Sequence, residues 1–98
     1  MSGDGNDTPL SLGAVQEQTA SYTMLVTDLY CLVNGSATIT LTSTGASVGK
    51  LYRVKNVGTG VVTVIPQSGT VDGSPSAQLP LQYQAVDFVF DGTNFNCF

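Results

Sequence analysis

The sequence predicts an all-β domain: a small β-sandwich or barrel-like roll of seven to eight short, mostly antiparallel strands behind an N-terminal arm. Three observations carry that expectation. From Thr19 onward, short apolar or alternating runs recur at the roughly 8–12-residue spacing of sandwich strands, with turn residues between them. The chain holds twelve threonines and many valines, β-branched residues that pack well on a pleated surface. No segment carries a sustained helical period.

The first 18 residues, MSGDGNDTPLSLGAVQEQ, are rich in Gly, Asp, Asn and Ser. They read as an extended arm (1–18) ahead of a β-domain (19–98). Leu10, Leu12 and Val15 are its anchors; Leu10 and Leu12 stand two apart, as an added strand would place them. TASYTMLV and LYCLVN follow, separated by Thr27-Asp28, and Asp28 suits an Asx-type turn. Gly35-Ser36 leads into ATITLTS, where Ala37, Ile39 and Leu41 take one face and threonines the other. TGASVG is a loop. In LYRVKNV, Leu51, Arg53 and Lys55 oppose Tyr52, Val54 and Asn56, giving one wet and one apolar face.

Gly58-Thr59-Gly60 then predicts a tight hairpin into VVTVIP, which Pro66 closes because it cannot donate to a ladder. GTVDGSPSAQLPLQY is turn-rich, with very short strands around Val71 and Gln78-Leu79. The ending, YQAVDFVFDGTNFNCF, reads as a hairpin across Asp91-Gly92. Val86, Phe88 and Phe90 form an apolar face that Phe95 and Cys97 join. Phe98 falls on the other side, beside Asn94 and Asn96, and is expected to cover a contact between subunits.

Composition narrows the function. Histidine is absent, so imidazole chemistry, His-based triads and His-containing zinc sites are excluded. The net charge of -4 argues against nucleic acid, which is held by many Lys and Arg contacts. All three cations, Lys50, Arg53 and Lys55, fall in one stretch and fit the wet side of a strand. Asp91-Gly92-Thr93-Asn94 and Asp72-Gly73-Ser74 lack the closing acid of a calcium loop and read as turns. The glycines of NVGTGVV lack the strand-to-helix context of a nucleotide loop. No catalytic, metal or cofactor-binding residues are expected, hence no cofactor and no enzyme. Nothing resembles a signal peptide or an apolar run long enough to span a membrane. Cys31 and Cys97 each sit in an apolar strand; buried free thiols are the first reading and a disulfide the alternative.

Only 10% of residues are charged, against about a quarter in ordinary soluble domains. Outward faces must therefore be covered by Thr, Ser, Asn and Gln, which cost little to desolvate. Such a surface suits burial against copies of itself or a larger assembly. The tyrosines (Tyr22, Tyr30, Tyr52 and Tyr83) suit core or subunit seam, with sugar stacking as the alternative.

At GKLYRVKNVGTGVVTVIPQSGTVDGS and YQAVDFVFDGTNFNCF the chain resembles the small β-domain that recurs in bacteriophage tail fibres, tail spikes and related virion appendages. The matching residues are Tyr22, Asp28, the run from Ala37 to Leu41, Gly49-Lys50-Leu51-Tyr52, Lys55-Asn56, Thr63-Val64-Ile65-Pro66, Val71-Asp72-Gly73 and the run from Asp91 to Phe95. One departure is Leu41-Thr42, where the family has Leu-Pro. The resemblance implies a β-sandwich-like fold, a homotrimer about a three-fold axis, and a place on the exterior of a phage virion after synthesis in the host cytoplasm. Read as a complete protein, the chain is expected to be a head decoration, head fibre or small tail-fibre component. It would contact other virion proteins through Leu10, Leu12 and Val15. Read as a fragment, it is expected to be a receptor- or carbohydrate-binding module that meets a host surface glycan.

Overall fold

The structure is a computed structural model that describes residues 12–98. Its described residues form nine strands: β1 (Ala14–Gln18), β2 (Tyr22–Met24), β3 (Asp28–Val33), β4 (Thr38–Leu41), β5 (Leu51–Asn56), β6 (Val62–Pro66), β7 (Ala77–Leu79), β8 (Ala85–Phe90) and β9 (Phe95–Cys97). They make a five-stranded sheet in the order β1-β3-β5-β8-β9 and a four-stranded sheet in the order β2-β4-β6-β7. The all-β expectation holds, with no helix among the described residues.

The pairing differs from the mostly antiparallel one expected. β1–β3, β3–β5, β2–β4 and β4–β6 are parallel, while β5–β8, β6–β7 and β8–β9 are antiparallel. Through β6 the chain steps from one sheet to the other at every turn, laying three two-strand rungs on one another. A parallel neighbour needs a crossover, and here the strand in the opposite sheet is that crossover. Gly58-Thr59-Gly60 is therefore an arch between sheets and not a hairpin. Its glycines answer a close approach: a Cβ on Gly60 would lie 2.5 Å from Ser36 Oγ and 2.7 Å from Ser36 N in the arch beneath.

Alternation then fills the space between the sheets. Cys31, Val33, Tyr52, Val54, Phe88, Phe90 and Phe95 point inward from one sheet; Met24, Ile39, Leu41, Val62, Val64 and Leu79 come from the other. Phe95 packs on Phe90 at 5.1 Å and Tyr52 at 6.1 Å between ring centroids. The last hairpin has the expected register, Phe90 opposite Phe95 and Phe88 opposite Cys97. Asp91 accepts the Thr93 and Asn94 amides and the Asn96 side chain, so its carboxylate closes the turn. The outer edge of β9 is covered as well. Phe95 N donates to Thr70 O, Asp72 N donates to Phe95 O, and Cys97 N donates to Asp72 Oδ1.

The arm boundary expected at residue 18 moves. Ala14–Gln18 is an edge strand of the sheet, paired along β3. Its inward residues are Gln16 and Gln18, where an apolar period would have announced a strand. Gln16 is usable there because its Nε2 donates to Asp28 Oδ1. Leu12 and Val15 are exposed at 78% and 54% and stand outside the core, and Leu10 lies outside the described residues. Cys31 and Cys97 are free thiols. β5 and β8 separate their strands, which puts them about 14 Å apart at ordinary strand spacing, beyond the reach of a disulfide.

Among the described residues two polar side chains are buried. Asn56 joins the third arch to β7: its Nδ2 donates to Gly60 O and Leu79 O, and its Oδ1 accepts from Gly58 N. Asp28 accepts from Gln16, from the Tyr22 hydroxyl at 2.6 Å and from the Leu25 amide at 2.8 Å. Burial opposes its charge. The Tyr22, Leu25 and Gln16 donors and the nearby Lys50 ammonium outweigh it and hold the carboxyl below its ordinary 3.8. A depressed carboxylate stabilises the fold above its unfolded pKa and loses that contribution as pH falls through the folded value. Thermal melts should therefore weaken below about pH 4, and Asp28→Asn should flatten part of that acid limb.

Candidate functional site

The outward faces of the two sheets differ in chemistry. On the four-stranded sheet, Thr23, Thr40 and Ile65 form one cross-strand row and Thr38, Thr63 and Gln78 another. None of the four strands contains a charged residue. Alternation produced this face, since every second position of strands with apolar inner faces had to be something other than core, and the sequence supplies threonine.

The five-stranded sheet carries the charge. Register places Val15, Tyr30, Arg53 and Asp87 in one row and Glu17, Leu32, Lys55 and Ala85 in the next. Phe98 N donates to Asp87 O, which extends the first row to Phe98 on the outward side. Phe98 is 82% exposed while Phe95 is fully buried, as the period of two requires. Val15 and Phe98 therefore mark opposite ends of one stripe. Asp87 forms a two-pronged ion pair with Arg53 at 2.9 and 3.1 Å. The Arg53 guanidinium also lies 5.9 Å from the Tyr30 ring centroid.

Between the two rows runs a trough of about 210 Å³, lined by Tyr30, Leu32, Arg53, Lys55, Ala85 and Asp87 among others. Tyr83 is not part of this lining; Lys55 Nζ lies 5.8 Å from its ring centroid. Tyr83 has φ 68°, a left-handed conformation that costs a side-chain-bearing residue about 1–3 kcal/mol. Its neighbours hold it there. Tyr83 N donates to Asn56 O, Gln84 N to Leu81 O, and Gln82 Nε2 to Val57 O. The ring is 64% exposed, so the strained backbone displays it and leaves it out of the core.

Other sequence-predicted residues stay apart. Asp72 and Gly73 both have positive φ, as the centre of a type I′ turn demands. Asp28 is enclosed by its donors. Among the described residues no three His, Cys, Asp or Glu side chains gather as metal ligands would. Sequence reasoning missed the Arg53–Asp87 pair and the displayed Tyr83. The first was accessible only through the β5–β8 register, and the second has no signal in residue type.

In comparisons with known proteins, no family and no curated protein sequence matches this chain.

Proposed function

We propose that this chain is a non-enzymatic structural protein on the exterior of a bacteriophage virion, a head decoration, head fibre or small tail-fibre component, assembled as a homotrimer. The observation that carries the reading is the uncharged outer face of the four-stranded sheet, a row-by-row array of Thr, Ile and Gln with no ion to desolvate. A three-fold contact joins two different patches of each copy. That face supplies one, and the exposed Phe98 edge supplies the other. The virion half of the reading is supported by the ordered motifs the chain shares with phage appendage domains. Exposed Leu12 and Val15, with Leu10, are the side chains offered to the particle.

Deleting Phe98 should leave the melting temperature nearly unchanged and weaken self-association by about 1–3 kcal/mol, the value of one ring buried at a contact. Analytical ultracentrifugation across a dilution series reads the second quantity. Electron microscopy of phage particles carrying this chain tests the function itself. Three-fold density on the outside of the particle, fitted by three copies, supports the proposal; a position inside the capsid, or no place on the particle, contradicts it.

A further inference from the structure

We infer that the Asn34–Gly35 peptide, in the second arch of the stack, is a site of spontaneous covalent modification. The Asn34 side chain closes on Gly35 N, releases ammonia and leaves isoaspartate, which loosens the rungs as the protein ages. The inference goes beyond the structural role and does not depend on it.

The side chain is the first observation. Asn34 is exposed, and its carboxamide makes no hydrogen bond to any described residue. The other described asparagines are held. Asn56 is fixed in the third arch, Asn94 Oδ1 accepts from Thr70 N and Oγ1, and Asn96 Nδ2 donates to Asp91. Ring closure needs the amide to turn onto the next peptide nitrogen, and only Asn34 among them has that freedom.

The second is the nitrogen. Gly35 N donates to no described residue, and Gly35, at φ 141°, has no side chain to obstruct the attack. Asn56, Asn94 and Asn96 precede Val57, Phe95 and Cys97, whose side chains crowd that approach. Asn34 Oδ1 and Gly35 N also face the same neighbour. A Cβ on Gly58 would collide with the first and lie 3.1 Å from the second. Asp72-Gly73 and Asp91-Gly92 share the glycine, but their carboxylates accept backbone amides and are poor electrophiles while ionised.

The chemistry needs only water. Gly35 N attacks Asn34 Cγ, a C–N bond forms, and the side-chain nitrogen leaves as ammonia with the proton that Gly35 N gives up. Water then opens the cyclic imide. Attack at Cγ restores the ordinary peptide bond and gives aspartate. Attack at the main-chain carbonyl carbon leaves the chain running through the side chain as isoaspartate.

The third observation is that the arch has no slack for this product. A Cβ on Gly35 would lie 3.1 Å from Thr19 O in the first arch, and Gly60 of the third arch closes on Ser36. Isoaspartate adds a methylene to the main chain at this point, beside the Asn34 N to Gln18 O bond of 2.9 Å. Its carboxylate also enters a depression of about 360 Å³ lined by Glu17, Gln18, Thr19, Leu32, Asn34 and Val57, where Glu17 is already negative.

The test is to age the folded protein in neutral and mildly alkaline buffer and follow each asparagine by peptide mass spectrometry, with electron-transfer fragmentation to tell isoaspartate from aspartate. Asn34 should acquire the mass of the acid ahead of Asn56, Asn94 and Asn96, mainly as isoaspartate, at a rate that rises with hydroxide concentration. The isoaspartyl protein should melt at least about 4 °C below fresh protein. Asn34→Asp carries the charge without the longer backbone and should melt within about 2 °C of fresh protein. Asn34→Gln, whose ring would be one atom larger and closes slowly, should keep its melting temperature through ageing. The inference is overturned if Asn34 stays intact while another described asparagine converts, or if the product is aspartate alone. It is equally overturned if isoaspartyl protein melts with the parent, if Asn34→Asp melts as low as aged protein, or if Asn34→Gln loses stability on ageing at the parent's rate.

Discussion

Phe95→Ala is expected to lower the unfolding free energy by about 3–5 kcal/mol, the usual cost of emptying a buried phenylalanine site. The ring has no exposure and fills the space between Tyr52 and Phe90. The backbone around it is fixed on both sides, by β8 through the hairpin and by residues 70–72 along the outer edge. Little collapse into the cavity is therefore possible, which places the loss toward the upper end. A domain of this length has about 5–15 kcal/mol in total, so the variant should lose a large share of its stability. Urea denaturation followed by far-ultraviolet circular dichroism measures the loss. A loss below about 1 kcal/mol would show that the ring is peripheral to the core.

Asn56→Ala should cost about 2–4 kcal/mol for a different reason. The substitution removes the side-chain partner of two carbonyls, Gly60 O and Leu79 O, and one amide, Gly58 N, of which the Leu79 and Gly58 bonds are buried and the Gly60 bond partly so. The same side chain ties the third arch to β7, so its loss loosens the link between the rung stack and the antiparallel cap. Asn56→Asp should be worse than alanine, because a carboxylate would face the two carbonyl oxygens that the amide now satisfies. Urea midpoints for the three proteins check the order. Alanine within about 0.5 kcal/mol of the parent would mean that water replaces the amide.

Much of the local structure was legible because burial imposes a period of two. The faces of residues 37–41 and of β5 followed directly from alternation, as did the burial of Phe95 and the exposure of Phe98. What alternation leaves open is the partner of each strand. A hairpin and an arch both need a short polar turn between alternating runs, and Gly58-Thr59-Gly60 satisfies either. The deciding contact, Gly60 against Ser36, is distant in sequence. β1 was read as arm because its inward residues are glutamines, and one of them is justified only by the buried Asp28. The trough shows the same limit. Arg53 and Asp87 each read as outward residues, but only register makes them a pair.

The proposed assembly rests on the uncharged face, and equilibrium sedimentation tests it most directly. Thr40 is central there, between Thr23 and Ile65. A lysine at this position would place a charge in a contact with nothing to neutralise it, at little cost to a chain that exposes it to water. At micromolar concentration the parent protein should sediment at three times its 10.2 kDa chain mass, and Thr40→Lys should sediment as a folded monomer. A parent protein that remains monomeric, or a Thr40→Lys variant that remains trimeric, would contradict the account.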